Sequence, residues 1–371
     1  MNRFFDVAII GGGPAGTATA LSLREHAPSL SVVLIEGSRS QTIRIGETLP
    51  PPARAILDHL GVWRAYCAQG HREVHGARTA WGIPAALDND FIYMFESIGW
   101  HVDRAAFDSM LVSEAERRGT TLIRETGLRH ADRAGEQWRL TLSNQSPVRA
   151  RFVVDATGGR AAFARRAGAR FVSADRLVGI ARIFRDSSDD PRLLVESFED
   201  GWWYTAGFPG GARIAVCMTD SDLAHRLKLG DIHQWTRTLA ATSNVAAMLQ
   251  KSIPSSPLLA RGAASRRLEP AAGENWLAVG DASSRFDPLS SQGIAKALRS
   301  GIFASYAIGD LLTRNDDRGL NRYRHYVLEE FKSYMKVRTH YYRQEQRWPE
   351  SDFWRRRHEA LPSVERSLSW R

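Results

Sequence analysis

Apolar and polar positions follow two rhythms along this chain, one of period two and one of helical period. Phe5-Asp6-Val7-Ala8-Ile9-Ile10 is a short apolar run that stops at glycines, and residues 14–26 then place alanine and leucine at helical spacing. Ser31-Val32-Val33-Leu34-Ile35-Glu36 is a second β-branched run, ending in an acid. Strand, glycine turn, helix and strand are therefore predicted in the first 36 residues. Residues 53–60 read as an amphipathic helix between the Pro50-Pro51-Pro52 break and Gly61, and 103–118 as another, begun by Asp103 and closed by Gly119. Strand-like stretches at 121–124 and 138–142 lead to Phe152-Val153-Val154 and Asp155. Strands dominate 177–219, and 223–249 turns helical. Trp276-Leu277-Ala278-Val279 reads as a buried strand, 293–312 as a long helix, and the chain after Asn315 as arginine- and aromatic-rich helix.

Gly11-x-Gly13-Pro14-Ala15-Gly16, with Glu36 twenty residues further on, adds chemistry to the first unit. Its glycines permit a tight turn and close approach of a pyrophosphate, the helix N-terminus supplies N–H groups and positive dipole, and Glu36 accepts from a ribose hydroxyl. Gly37 and Ser38 follow on the same edge. A dinucleotide is the expected ligand. The uncharged run from Val7 to Leu23 has this turn at its centre, so it is read as strand and helix and not as a membrane span or signal peptide.

Composition narrows the class further. With 371 residues, 43% hydrophobic and 25% charged, the chain has the makings of a full core and one or two domains. Cys67 and Cys217 lie far apart with no CxxC and no nearby histidine pair, so no metal site and no disulfide are expected, and a reducing, cytoplasmic setting fits. The net charge is +9, and the last 54 residues carry 13 basic against 7 acidic side chains. No nucleic-acid-binding motif accompanies the excess, so neither nucleic acid nor membrane is expected as a partner.

Two later segments extend the dinucleotide reading: Val154-Asp155-Ala156-Thr157-Gly158-Gly159-Arg160, and Val279-Gly280-Asp281-Ala282 running on to Pro288-Leu289-Ser290-Ser291-Gln292-Gly293-Ile294. Together with the glycine turn they resemble the motifs of FAD-dependent group A monooxygenases and their relatives, the flavin-dependent halogenases and geranylgeranyl reductases, over residues 1 to about 312. The resemblance implies an α/β fold: a Rossmann-type, glutathione reductase-like FAD-binding domain from 1–80, 100–165 and 265–315, an interleaved mixed-sheet substrate domain from 81–99 and 166–264, and a helical C-terminal region, 316–371. It also implies FAD held by the three segments, with Asp281 on the ribityl chain and Ser291 to Ile294 facing the flavin pyrimidine edge. Arg44-Ile45-Gly46-Glu47-Thr48 resembles the segment that flanks the isoalloxazine ring in halogenase-like members, and Arg104 the arginine that contacts the cofactor in group A enzymes; a surface salt bridge and a simple turn are the plainer readings. No second GxGxxG unit exists, so electrons would come from transiently bound NAD(P)H or from a partner flavin reductase, with O2 as co-substrate.

The resemblance also separates the relatives from one another. Halogenases keep a lysine between the fingerprint and the second motif, whereas the lysines here are Lys228, Lys251, Lys296, Lys332 and Lys336, and the Trp-x-Trp-x-Ile-Pro signature is missing. A halogenase is not expected. Gly201-Trp202-Trp203-Tyr204 to Phe208-Pro209 resembles the strand beside the substrate in geranylgeranyl reductases; alternation buries one tryptophan on each face, and Trp203 with Phe208 is taken to line the pocket. That strand, the run from Asp287 to Gly301 and the tail segment 341–355 are similar to a narrower subgroup, the flavoproteins that mature cysteine tryptophylquinone oxidases and enzymes that oxidise tryptophan within a peptide. The implied reaction is hydroxylation of an aromatic ring through a flavin C4a-hydroperoxide, the ring being tryptophan in a peptide or protein, with Glu47 and His101 as candidate bases. A small-aromatic hydroxylase, a reductase or dehydrogenase of a hydrophobic small molecule, and a non-redox binder of RNA or a client protein remain alternatives. The tail reads in two ways: as a basic, aromatic surface for an acidic peptide or protein, or as helices whose apolar face, including Tyr323, Phe331 and Tyr334, closes the substrate domain.

Overall fold

The computed structural model describes residues 3–37, 48–90, 98–185, 190, 192–208 and 210–359. Its first large sheet is built on parallel strands in the order Trp276–Ala278, Pro147–Asp155, Arg3–Ile10, Val32–Ile35 and Thr121–Ile123. Both faces are covered, which is why these strands are nearly all apolar in sequence. Val7, Ile9, Phe152, Val154 and Leu277 are fully buried against the helix Pro14–His26 and the long helix Gly293–Arg314. Each such side chain stabilises the fold by about 1.5–3 kcal/mol. The strands are in register at their C-terminal ends, Ile10 opposite both Ile35 and Asp155, and Asp155 opposite Ala278. The three motif segments therefore emerge side by side, at the edge where open α/β sheets bind ligands.

A second large sheet runs Leu177–Arg185, Ala212–Asp220, Gly201–Phe208, Leu193–Phe198, Gly76–Ala80 and Leu87–Asp90. Its long strands pair antiparallel, and Gly76–Ala80 joins Leu193–Phe198 in parallel. Residues 76–80, read from the sequence as the end of the first stretch of the FAD-binding domain, pair with the second sheet. The stretch expected to be helical over 223–249 forms three short helices, Ser221–Arg226, Ile232–Ala240 and Asn244–Met248. Glu196 is the reason for the last break: its buried carboxylate accepts from the N–H groups of Ser243, Asn244 and Val245 at 2.8–2.9 Å, capping a new helix.

The tail forms the helix Arg318–Arg343 and the short helix Asp352–His358. Tyr323, Phe331, Tyr334, Tyr342, Phe353 and Trp354 are buried, while Arg318, Arg322, Arg324, Arg343 and Arg355 are exposed. Arg357 forks onto the buried Asp220 carboxylate at 2.8 and 3.3 Å, anchoring the last helix to the second sheet. Among the described residues no helix is long and apolar enough to cross a membrane.

Candidate functional site

A cavity of about 770 Å³ opens between the two large sheets, and all three motif segments line it. Gly11 sits at φ +116°, and a Cβ there would run into the carbonyl of Ala156, so the glycine turn and the second motif can touch only through bare backbone. Gly13, Pro14 and Ala15 line the wall, while Gly16 packs behind them. Glu36 and Gly37 close this end, with the Glu36 carboxylate accepting from the Gly12 N–H at 2.5 Å.

From the second motif Ala156, Thr157 and Gly158 reach the cavity, but Asp155, expected to bind cofactor, does not. It is fully buried and accepts from Thr157 N–H and Oγ1 at 2.9 and 2.7 Å, and from the N–H groups of Phe163 and Ala164 at 2.9 and 2.8 Å. Its task is to fold the turn that presents its neighbours. In the third motif Asp281 lines the cavity and pairs with the buried Lys296 ammonium at 3.3 Å, while Gly280 packs against Ala15 behind the wall. Pro288, Ser291, Gly293 and Ile294 line the wall at the start of the long helix; Gln292 is exposed and does not. Thr48 and Arg104 also face the cavity, and the Arg104 guanidinium sits 3.2 Å from the Asp108 carboxylate.

Ser38, Arg44, Gly46 and Glu47 lie outside the described residues, as does the side chain of Phe208. His101 is fully buried and is not among the described residues that line the cavity; its Nδ1 lies 3.3 Å from Oγ1 of Thr48, which does line it.

The far end of the cavity is apolar and aromatic, walled by Leu193, Val195, Trp202, Tyr204, Val216 and Met218 from the second sheet. Trp203, expected here, is on the opposite face, fully buried against Trp235 at 5.1 Å between ring centroids. The side chains on the strand alternate, and pairing of Trp202 with Met218 and Trp203 with Cys217 decides which tryptophan faces in. Trp202→Phe is accordingly expected to cut kcat/KM roughly tenfold, whereas Trp203→Phe, which removes a buried indole N–H with no hydrogen-bond partner among the described residues, should change melting and leave steady-state kinetics alone. Equal kinetic effects of the two would refute this placement.

A buried polar chain ties this wall to the third motif. Trp202 Nε1 donates to Tyr342 Oη at 2.9 Å, Tyr342 donates to Asp287 Oδ2 at 2.7 Å, and Asp287 N–H donates to Tyr334 Oη at 2.7 Å. Burial works against the Arg338 charge, but Asp175 and Asp287, at 2.8 and 3.3 Å, outweigh it and hold the guanidinium protonated. Tyr342 comes from the tail, 55 residues from Asp287 in sequence, and no local pattern announces the pair.

A glycine turn on a helix N-terminus, an acid at the next strand end and a third Gly-Asp segment converging on one cavity define a dinucleotide-binding oxidoreductase fold. The bare backbone at Gly11 and the open space at Gly13 fit the pyrophosphate of the coenzyme, and Glu36 and Asp281 fit its sugar hydroxyls. Residues 5–336 match the FAD binding domain family, and the chain belongs to it. Over 367 residues it is 30% identical to LodB of Marinomonas mediterranea, named as an FAD-dependent oxidoreductase, covering 95% of this chain and 97% of that one. Among solved structures it is similar to the flavin-dependent halogenase CmlS, at a TM-score of 0.87 and 26% identity over 99% of this chain and 70% of that one. The peptidyl tryptophan dihydroxylase QhpG, essential for tryptophylquinone cofactor biogenesis, shares the fold at a TM-score of 0.73 and 23% identity, over 97% of this chain and 81% of that one.

Proposed function

We propose that this protein is an FAD-dependent monooxygenase that inserts oxygen into an aromatic ring, and that the ring is a tryptophan side chain carried by a peptide or protein. The observation that carries the reading is the far end of the cavity: aromatic and apolar walls suited to a flat ring, with no lysine among the lining residues. All five lysines lie at or after position 228, and Lys296 is buried in its contact with Asp281, which speaks against halogenation. FAD, when bound and reduced, would supply the activated oxygen. The chain's own part is to exclude water with Trp202, Tyr204, Val216 and Met218 and to hold the ring plane against that wall. Electrons come from NAD(P)H or a reductase, and O2 is the second substrate.

Similarity to LodB along nearly the whole of both chains supports the oxidoreductase, and the shared fold with a peptidyl tryptophan dihydroxylase supports the polypeptide substrate. The exposed arginines of the tail, Arg318, Arg322, Arg324, Arg343 and Arg355, would steer an acidic one. The test is peptide mass spectrometry of the product of a neighbouring gene, made with and without this protein. A mass gain of one or two oxygen atoms on a tryptophan is expected. Unmodified tryptophans together with an oxidised free metabolite would overturn the polypeptide reading, and turnover without oxygen consumption would overturn the monooxygenase.

A further inference from the structure

Oxidisable rings run in contact from the cavity to the protein surface. Trp202 lines the cavity. Its ring centroid is 6.4 Å from that of Trp81, Trp81 is 5.3 Å from Trp354, and Trp354 stacks 6.2 Å from Trp348. Tyr342 fills the space between three of these indoles: it accepts from Trp202 Nε1 at 2.9 Å, and its ring lies 5.6 Å from Trp81 and 5.9 Å from Trp354. Trp202, Tyr342 and Trp354 are buried, whereas Trp81 and Trp348 are partly exposed. The run therefore begins in the cavity and ends in water. Trp203 and Trp235, on the opposite face of the same sheet, make the contrast: both are fully buried, and neither is among the described residues that line the cavity.

The hydrogen bonds of these rings suit the passage of an electron vacancy. An indole that has lost an electron soon gives its N–H proton to any base in reach, which pins the vacancy where it is. Here Trp202 donates to the Tyr342 phenol, Trp81 to the Tyr341 carbonyl at 2.9 Å and Trp354 to the Phe198 carbonyl at 3.0 Å, all neutral acceptors. Arg347 stacks 4.3 Å from the Trp348 ring centroid, but Glu345 matches its charge at 2.6 Å, so no bare cation opposes a vacancy at the solvent end. Packing alone would require neither contact from ring to ring nor an exposed end.

We propose that Trp202, Trp81, Trp354 and Trp348, with Tyr342 between them, conduct one-electron oxidising equivalents out of the cavity to thiols in solvent, and so protect the pocket when oxygen is activated with no substrate ring in place. This role rests on the oxygen chemistry proposed above. In the step itself, a hydroxyl-class radical formed from peroxide released in the cavity takes one electron from Trp202 and one proton from solvent, and leaves as water. An electron from Trp81 refills Trp202, one from Trp354 refills Trp81, and one from Trp348 refills Trp354. A small-molecule thiol supplies the last electron and releases its proton, and two thiols oxidised in this way join as a disulfide.

The test uses the FAD-loaded full chain, the Trp81→Phe/Trp348→Phe double variant, Trp348→Phe alone, and Trp203→Phe as control. Without oxygen, a light flash excites the flavin, which draws an electron from Trp202, and the absorbance of the oxidised indole is followed as glutathione is added. In wild type and Trp203→Phe the signal is expected to decay faster with each addition, and the double variant is expected to lose that dependence. In a second measurement the flavin is chemically reduced and reoxidised by air without substrate, and oxygen adducts are mapped by peptide mass spectrometry. Wild type should carry them on Trp81 and Trp348, the double variant on Trp202, and Trp348→Phe should gain them at Trp81. No indole signal in wild type, equal glutathione dependence in wild type and double variant, equal adducts on Trp202 in those two, or no gain at Trp81 in Trp348→Phe overturns the proposal. Because the flash needs no oxygen, glutathione-dependent decay in a protein that never oxygenates an aromatic ring would sink the monooxygenase reading and leave conduction standing. Substrate oxygenation with no indole signal would do the reverse.

Discussion

Gly11→Ala should give a protein that purifies colourless and does not take up FAD on reconstitution. The backbone at Gly11 holds φ +116°, where an L side chain is strained by about 1–3 kcal/mol, and its Cβ would be driven into the Ala156 carbonyl. Relief means separating the first and second motifs where Gly11 meets Ala156, with Gly11 N–H also tied to the Ile35 carbonyl at 2.8 Å. Overpacking adds a further cost of about 1–3 kcal/mol. Gly13→Ala is the control: nothing lies within 4 Å of its Cβ, so stability should stay near wild type while the added methyl projects into the coenzyme space and weakens FAD binding. The checks are absorbance of the purified protein and thermal melting. A yellow Gly11→Ala protein of normal stability would refute the close-approach argument.

Asp287→Ala is the second large effect expected, a loss of about 3–5 kcal/mol of stability together with weakened FAD retention. The carboxylate is 1% exposed and serves Tyr342 Oη, Arg338 Nε and the Leu289 N–H, at 2.7, 3.3 and 3.0 Å. Removing it strands a buried phenol, leaves Arg338 with Asp175 alone, and uncaps the turn that leads to Ser291 and Gly293. Denaturant unfolding measures the first effect and flavin release on dilution the second. Asp287→Asn, which keeps an acceptor for Tyr342, should lose less on both counts. A melting curve for Asp287→Ala within error of wild type would refute the role given to this chain of hydrogen bonds.

The glycine turn, the Asp-Ala-Thr-Gly bend and the Gly-Asp segment were legible in the sequence because each is a local pattern whose residues act within a few positions of one another. The choice between Trp202 and Trp203 was not legible. Alternation says only that they part, and the face is set by the register against Met218 and Cys217, a nonlocal fact. Asp155 lies in a segment that resembles a cofactor-binding motif, but four donors in the following loop claim its carboxylate. His101 carried no signal of its depth, since burial beside Thr48 depends on pairing of Thr48–Leu49 with Gly99–His101. Arg266 and Arg285 meet at Gly159 from two stretches of chain, and in a sequence with 50 basic residues such a pair has no signature.

Tyr342 and Tyr334 brace the Asp287 turn from a helix that ends at Arg343. On the ribosome, the cavity wall at Asp287 therefore stays unbraced after the glycine turn has emerged, and it is completed only once the helix Arg318–Arg343 is out. A nascent protein stalled before this helix would expose an aromatic-lined cleft to the cell's quality control.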